Sequence, residues 1–404
     1  MHRIVGAVHQ AWVSALSAVR KINLTDLAVV LIGLTMAVLV RLPLLDFKSS
    51  DFFNSLRPWY VEIRSMGFAV FGTNFTTYNP PYLYELYLIA RFFPSVSNLL
   101  ATKIPSLITD FICAYFVYKI VALKYPGRSF PLVAAFTFLF TPTVVLNSAF
   151  WGQADVLFTA PLIACLYFLM LRKNNLAFLA FGISLAFKLQ AIFLAPLLFG
   201  LFLRGKVAWW HFLLIPFVLF LAIIPAWIAG RPLLDLIMVY SGQVQQYQLL
   251  QMSAPTVYTW MPDNGLTQRF FTVTGVIFTA MLGLIFAFFV YRSSAKLTVP
   301  LLLKLALLSV LFVPFFLPKM HDRYFYPADV ISIIYAFFFP QYFFVPVVII
   351  LASFFSYHQT LFEVHTVPLS ILAAGMFIML VFVAKDAVME LYSGSSPIDA
   401  VQTQ

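Results

Sequence analysis

Apolar runs of about 15 to 22 residues recur along the chain, each separated from the next by a short polar gap. Runs of that length cross, or nearly cross, a ~30 Å hydrocarbon core as helices. The two-residue alternation of a membrane barrel is absent. The pattern predicts an all-α, polytopic transmembrane helical bundle of about 11 to 13 membrane segments. The expected segments lie near residues 24–45, 99–123, 132–146, 155–171, 209–229, 270–291, 299–317, 325–339, 343–357 and 368–384. Between 175 and 204 the apolar run is interrupted by Lys188. Some ~20 Å of helix precedes that lysine, so a pair of short helices meeting near Lys188 is expected, an arrangement that builds sites at membrane depth.

Two gaps are long. Residues 46–98 mix charges with aromatics, and within them 59–71 and 82–93 read as amphipathic helices lying at the interface. Residues 230–269 form a second long loop rich in Gln and Tyr. Residues 1–392 are expected to be one integral-membrane domain, followed by a disordered tail over 393–404.

Composition sharpens this picture. Apolar residues make up 62% and charged residues 10% of the 404, which excludes an ordinary soluble domain. The net charge of +10 does not point to nucleic acid, because the cations punctuate the gaps and form no basic patch. Arg20/Lys21, Lys124/Arg128, Arg172/Lys173, Arg204/Lys206, Arg292/Lys296 and Lys385 all fall on one side when the segments alternate, which the positive-inside rule makes cytoplasmic. Both long loops are then extracytoplasmic, and a multi-pass integral-membrane protein is expected. The first run is too long for a signal-peptide core and reads as an anchor. Cys113 and Cys165 sit in apolar runs as packing residues, and no disulfide framework is implied.

The remaining polar residues gather in the gaps assigned to the outer side: "LDFKSSDF", "TTYNPPYLYELY", "FWGQADV" and "KMHDRYFYPADV", with Lys188 in "AFKLQA" at the same depth. Ionisable groups at membrane depth face a partner or a wet cavity. Lys188, His321 and Arg323 can donate to a phosphate, whereas Lys319 alone reads as an interface anchor. Asp51 is placed to accept a proton from an attacking hydroxyl; Asp46 competes for that role or caps the first segment. Asp155 and Asp322 precede apolar runs, so helix capping is the bland alternative for both. Asp110 and Asp329 lie inside apolar runs and are expected to pair with buried donors. Asp51 and His321 could share a divalent ion, but no ligand spacing demands one, and no cofactor motif is present.

An acid after the first segment, a downstream Pro-Pro, "WGQAD" after the third segment and "HDRY" near a late one together resemble the GT-C superfamily of integral-membrane glycosyltransferases. The pattern is similar to bacterial mannosyltransferases like those of GPI-anchor synthesis. The resemblance runs from about Val40 to Val330. It implies Asp51 as general base, and Lys188, Gln190, His321 and Arg323 at the donor phosphate. It implies Tyr78, Asn79, Pro80 and Tyr82, then Trp151, Gln153, Asp155, Asp322 and Tyr324, around the substrates. Where many relatives carry Gly-Asp at the loop acid, this chain has Ser50-Asp51. The implied activity is inverting transfer of a hexose, mannose favoured, from a polyprenyl-phosphate donor to a lipid or glycan hydroxyl. A transporter of lipid-linked saccharides is the alternative. Against it stands the one-sided distribution of polar residues, with no matched site expected at the inner face.

Overall fold

The structure is a computed structural model that describes residues 24–76, 78–127, 129–240, 242 and 249–393. The expectations for Arg20, Lys21, Arg128 and the tail beyond Ser393 lie outside the described residues. The chain divides into two compact units, Met1–Pro43 and Leu44–Gln404. In the first, helix α1 (Leu24–Arg41) ends with Arg41 Nη1 donating to Ala37 O at 3.0 Å.

The second unit begins with the mixed loop. Its helices α2 (Arg57–Met66) and α3 (Pro80–Phe92) fall where the amphipathic pattern put them. A 3-10 stretch, Gly67–Gly72, extends α2. Pro80 opens α3 at its first position, where a missing N–H leaves nothing unsatisfied. The inward faces of these helices build a small core of their own around Tyr60, Ile63, Phe71, Tyr82 and Leu86, closed by Leu157 and Ala226 from neighbouring helices.

The remaining helices are α4 (Asn98–Lys124), α5 (Phe130–Phe140), α6 (Pro142–Trp151), α7 (Asp155–Met170), α8 (Asn174–Phe187), α9 (Ala195–Leu203), α10 (Leu214–Ile228), α11 (Gly265–Arg292), α12 (Val299–Phe316), α13 (Tyr326–Phe338), α14 (Phe344–Phe362) and α15 (Leu369–Ser393). Helix α12 is the centre. Residues from Leu301 to Phe315 are all buried, as a helix apolar on every side should be. Helices α11, α13 and α15 pack around it, while α7 and α8 pack on each other and on α4 and α10 respectively. Tyr258 and a short parallel pairing of β1 (Gln251–Met252) with β2 (Met320–His321) tie the second long loop to the α12–α13 connection.

The chain is an integral, multi-pass membrane protein with an all-α fold. Seven described helices are long and apolar enough to cross a membrane, and an eighth follows if α5 and α6, bent by 52°, count as one span. The expectation of 11 to 13 segments therefore needs correcting. Helices occur at every place the runs predicted, but α7 and α8 have 16 and 14 residues, about 24 and 21 Å, and fall short of a full crossing. The break at Lys188 is as expected: α8 stops at Phe187, Lys188 is extended (φ −156°, ψ 138°), and a 3-10 turn, Leu189–Leu194, leads into α9.

Candidate active site

Lys188 and Arg323 meet on one carboxylate. Asp155 opens α7 but caps nothing; its side chain is fully buried and faces inward. Lys188 Nζ lies 2.5 Å from Oδ1, Arg323 Nε lies 3.5 Å from Oδ2, and Asn147 Nδ2 donates to Oδ2 at 2.9 Å. Aromatic faces complete the seat. The Arg323 guanidinium stands 5.3 Å from the Trp151 ring, and the Lys188 ammonium 5.4 Å from the Tyr324 ring.

Asp51 stands at the Nε1 edge of the same indole. Trp151 Nε1 donates to Asp51 Oδ2 at 2.8 Å, and Gln153 Nε2 to the same oxygen at 2.5 Å. Asp51 is half-buried, whereas Asp46 is exposed in the preceding turn. The geometry thus separates two acids that the sequence left open: only Asp51 is held toward the cations. The turn bearing Trp151 and Gln153 is built locally. The last turn of α6 widens to a π-helix, Gly152 takes the left-handed conformation (φ +80°), and Gln153 N returns to Asn147 O at 2.8 Å.

His321 and Asp322 flank Arg323. Burial, with help from the charges of Arg323 and Lys188, pushes the His321 imidazole down to about 2, so it is neutral. The sequence grouped it with the cations; in place it can offer one N–H and no charge. Burial raises Asp322 to about 6, against the pull of Arg323 and of Thr360, whose Oγ1 donates to Asp322 Oδ2 at 2.5 Å. Burial opposes the Arg323 charge, but the carboxylates of Asp155 and Asp322 more than offset it and raise the guanidinium above its ordinary value.

The aromatic-proline loop meets the chain at the end of α8, two residues before Lys188. Tyr82 is buried in the loop's own core and donates to Thr102 O at 3.2 Å, and Pro80 is buried beside it. Tyr78 packs its ring on Trp59 and Tyr82. Asn79 donates to Ala186 O at 2.8 Å and to the Tyr240 hydroxyl, which in turn donates to Leu185 O. These two side chains satisfy carbonyls left open where α8 stops before Lys188. Gln190, on the 3-10 turn after Lys188, keeps its buried Oε1 without a hydrogen-bond partner among the described residues. Asp110 and Asp329 pair with Ser148 (2.6 Å) and Ser353 (2.8 Å), as expected of acids inside apolar runs. Among the described residues no three His, Cys, Asp or Glu side chains converge as a metal-ligand set.

No family model and no curated protein matches the chain. Solved structures do. The chain superposes on the crystal structure of ArnT from Cupriavidus metallidurans in the apo state with a TM-score of 0.50 and 16% identity, covering 90% of this chain and 72% of that one. The chain has the GT-C fold. The crystal structure of the same ArnT bound to undecaprenyl phosphate aligns at a TM-score of 0.48 and 13% identity, over 91% of this chain and 78% of that one.

Within this fold, sequence reasoning missed Asn147, Lys103 and Tyr240. Asn147 lies in an apolar run whose local signal is helix, and Tyr240 lies in a loop with no motif. Lys103 was visible as a cation near the start of an apolar run, but nothing local announced its partners.

Proposed function

We propose that this chain is an inverting glycosyltransferase of the GT-C kind. It moves a hexose, mannose favoured by the motif resemblance, from a polyprenyl-phosphate donor to a hydroxyl of a lipid or glycan acceptor. The cluster faces the extracytoplasmic side, the side the positive-inside count assigns to it. The observation that carries this reading is the shared indole: Asp51 at the Nε1 edge of Trp151 and, over its ring, Arg323 of the Arg323–Asp155–Lys188 group. The assigned base and two phosphate donors are thereby linked through one indole and one carboxylate.

In this mechanism Arg323 and Lys188 bind the donor phosphate, and Asp155 fixes both before the phosphate arrives. His321 and Gln190 add neutral contacts. Trp151 and Gln153 both donate to Asp51 Oδ2, so Oδ1 takes the proton of the acceptor hydroxyl as the hydroxyl oxygen attacks the anomeric carbon. The C–O bond to the phosphate breaks with its electron pair, and the configuration inverts. A lipid phosphate is a good leaving group, so the main demand is stabilisation of its developing charge, which preorganised cations meet at roughly 3 kcal/mol per donor.

The test supplies the purified protein in lipid nanodiscs with a panel of polyprenyl-phosphate sugars and identifies products by mass spectrometry. Asp51→Asn should lower transfer by about 10²- to 10⁴-fold, and Lys188→Ala or Arg323→Ala by about 10²- to 10³-fold. Unchanged transfer by Asp51→Asn removes the assigned base. Movement of lipid-linked sugar across the bilayer without transfer from any donor replaces the enzyme with a transporter.

A further inference from the structure

Lys103 lies in α4, inside a membrane-spanning segment, and is 1% exposed. A charge in such a place pairs with another charge or with backbone carbonyls. Here its hydrogen-bond partners are backbone carbonyls. Nζ donates to Leu45 O and Phe47 O at 2.9 Å and to Phe150 O at 3.0 Å, one for each of its three hydrogens, with Leu44 O a fourth at 3.3 Å. Among the described residues, the carboxylate that acts on it is that of the exposed Asp46, through space.

The carbonyls come from two separate segments. Residues 44–47 lead into Asp51. Phe150 precedes Trp151 and Gln153, the two residues that hydrogen-bond to Asp51. Two further contacts join the same segments, and a third ties the second of them to α4. Phe47 and Phe150 stack at 3.7 Å, Ser49 Oγ donates to Trp151 O at 3.1 Å, and Ser106, one turn along α4 from Lys103, donates to Gln153 O at 2.6 Å. Gly152 is shaped to the lysine: a Cβ there would stand 3.3 Å from Lys103 Cγ, on a backbone at φ +80° that side chains rarely adopt.

We propose that Lys103 is a positioning residue for the transfer reaction: its ammonium, seated among these carbonyls, pins the Asp51 loop to the Trp151–Gln153 turn and so sets where the base stands. The proposal rests on the reading of Asp51 as general base. The carbonyl ring is in effect a cation site filled by a tethered ammonium. With the tether removed, four half-buried carbonyls lose their donor and should accept a small free ammonium ion.

The experiment compares wild type, Lys103→Ala and Lys103→Met in nanodiscs, the methionine keeping most of the volume without the charge. A misplacement near 1 Å is enough to cost about 10²-fold. Transfer by either variant should therefore show kcat lower by about 10²-fold, with donor KM unchanged because Lys188, Arg323 and Asp155 are untouched. Ethylammonium, but not ethanol, should restore a saturable part of the Lys103→Ala rate. Hydrogen–deuterium exchange should rise together in residues 44–53 and 146–153, and fall back with ethylammonium. Unchanged kcat, loss confined to donor KM, or exchange rising in only one of the two segments overturns the proposal. If wild type transfers no sugar from any donor, the proposed function fails, and the exchange measurement still decides whether Lys103 joins the two segments.

Discussion

Asp155 shows how much one buried carboxylate can determine. Its two oxygens serve Lys188, Arg323 and Asn147, and none of the three is near it in sequence except Asn147. Sequence reasoning offered helix capping as the alternative, because an acid at the start of an apolar run is the usual cap. The side chain makes no cap bond. Removing one member of a buried ion pair leaves a charge without compensation and costs about 3–5 kcal/mol. Asp155→Asn should therefore lower the melting temperature markedly as well as abolish transfer. Adding Lys188→Met to Asp155→Asn should recover part of the stability and none of the activity, as read by a melting curve on each variant. Additive losses would mean the three groups do not act as one. Sequence could nominate Asp155, Lys188 and Arg323 separately. That they share one carboxylate depends on three helix ends meeting, which no local pattern encodes.

At the level of elements, the amphipathic loop helices were legible because burial on one face leaves a 3.6-residue period in the sequence. The break at Lys188 was legible for a related reason: a charge in mid-run cannot face lipid. What the pattern did not contain was the means of ending α8, which falls to Asn79 and Tyr240 from two other loops. Helix α3 carries its own anomaly. Glu85 sits on this helix with Oε2 buried and without a hydrogen-bond partner among the described residues, and burial raises its carboxyl from 4.5 to about 7. The folded state thus holds a proton that the unfolded chain releases above pH 4.5. The stabilising contribution of protonated Glu85 is complete below about pH 4.5 and is lost as pH rises through about 7, up to roughly 3 kcal/mol. Glu85→Gln should flatten this part of the stability–pH curve and raise stability above pH 7. A thermal-melting series from pH 4 to 8 on both proteins checks it, and parallel curves would refute it.

For the molecule as a whole, the expected concentration of charge at one end is only half the picture. Lys304 of α12 lies 2.9 Å from Asp386 Oδ1 and 2.8 Å from Glu390 Oε2 of α15, and Tyr335 of α13 donates to Asp386 Oδ2 at 2.7 Å. This second cluster is about 18 Å along α12 from the end that delivers His321 and Arg323. The one-sided distribution invoked against a transporter is therefore incomplete. The cluster is closed on itself: cation, acids and phenol satisfy one another and join three helices at the core. Its expected role is to hold the bundle together. Lys304→Met should destabilise by about 3–5 kcal/mol, because two acids lose their cation, while donor KM stays that of wild type. A shifted donor KM in the folded variant would show that the two ends communicate.

The sequence by itself determined what is local: which runs become helices, where the loop helices fall, and where a helix must break. Those follow from the length and period of apolar residues, which each segment carries alone. The tertiary structure decided the rest: that Asp51 and not Asp46 is held beside Trp151 and Gln153, the neutrality of His321, Asp155 as common counter-ion, and the carbonyl seat of Lys103. Electrostatic character depends on distance and dielectric, and both are set by side chains that folding brings in from elsewhere in the chain.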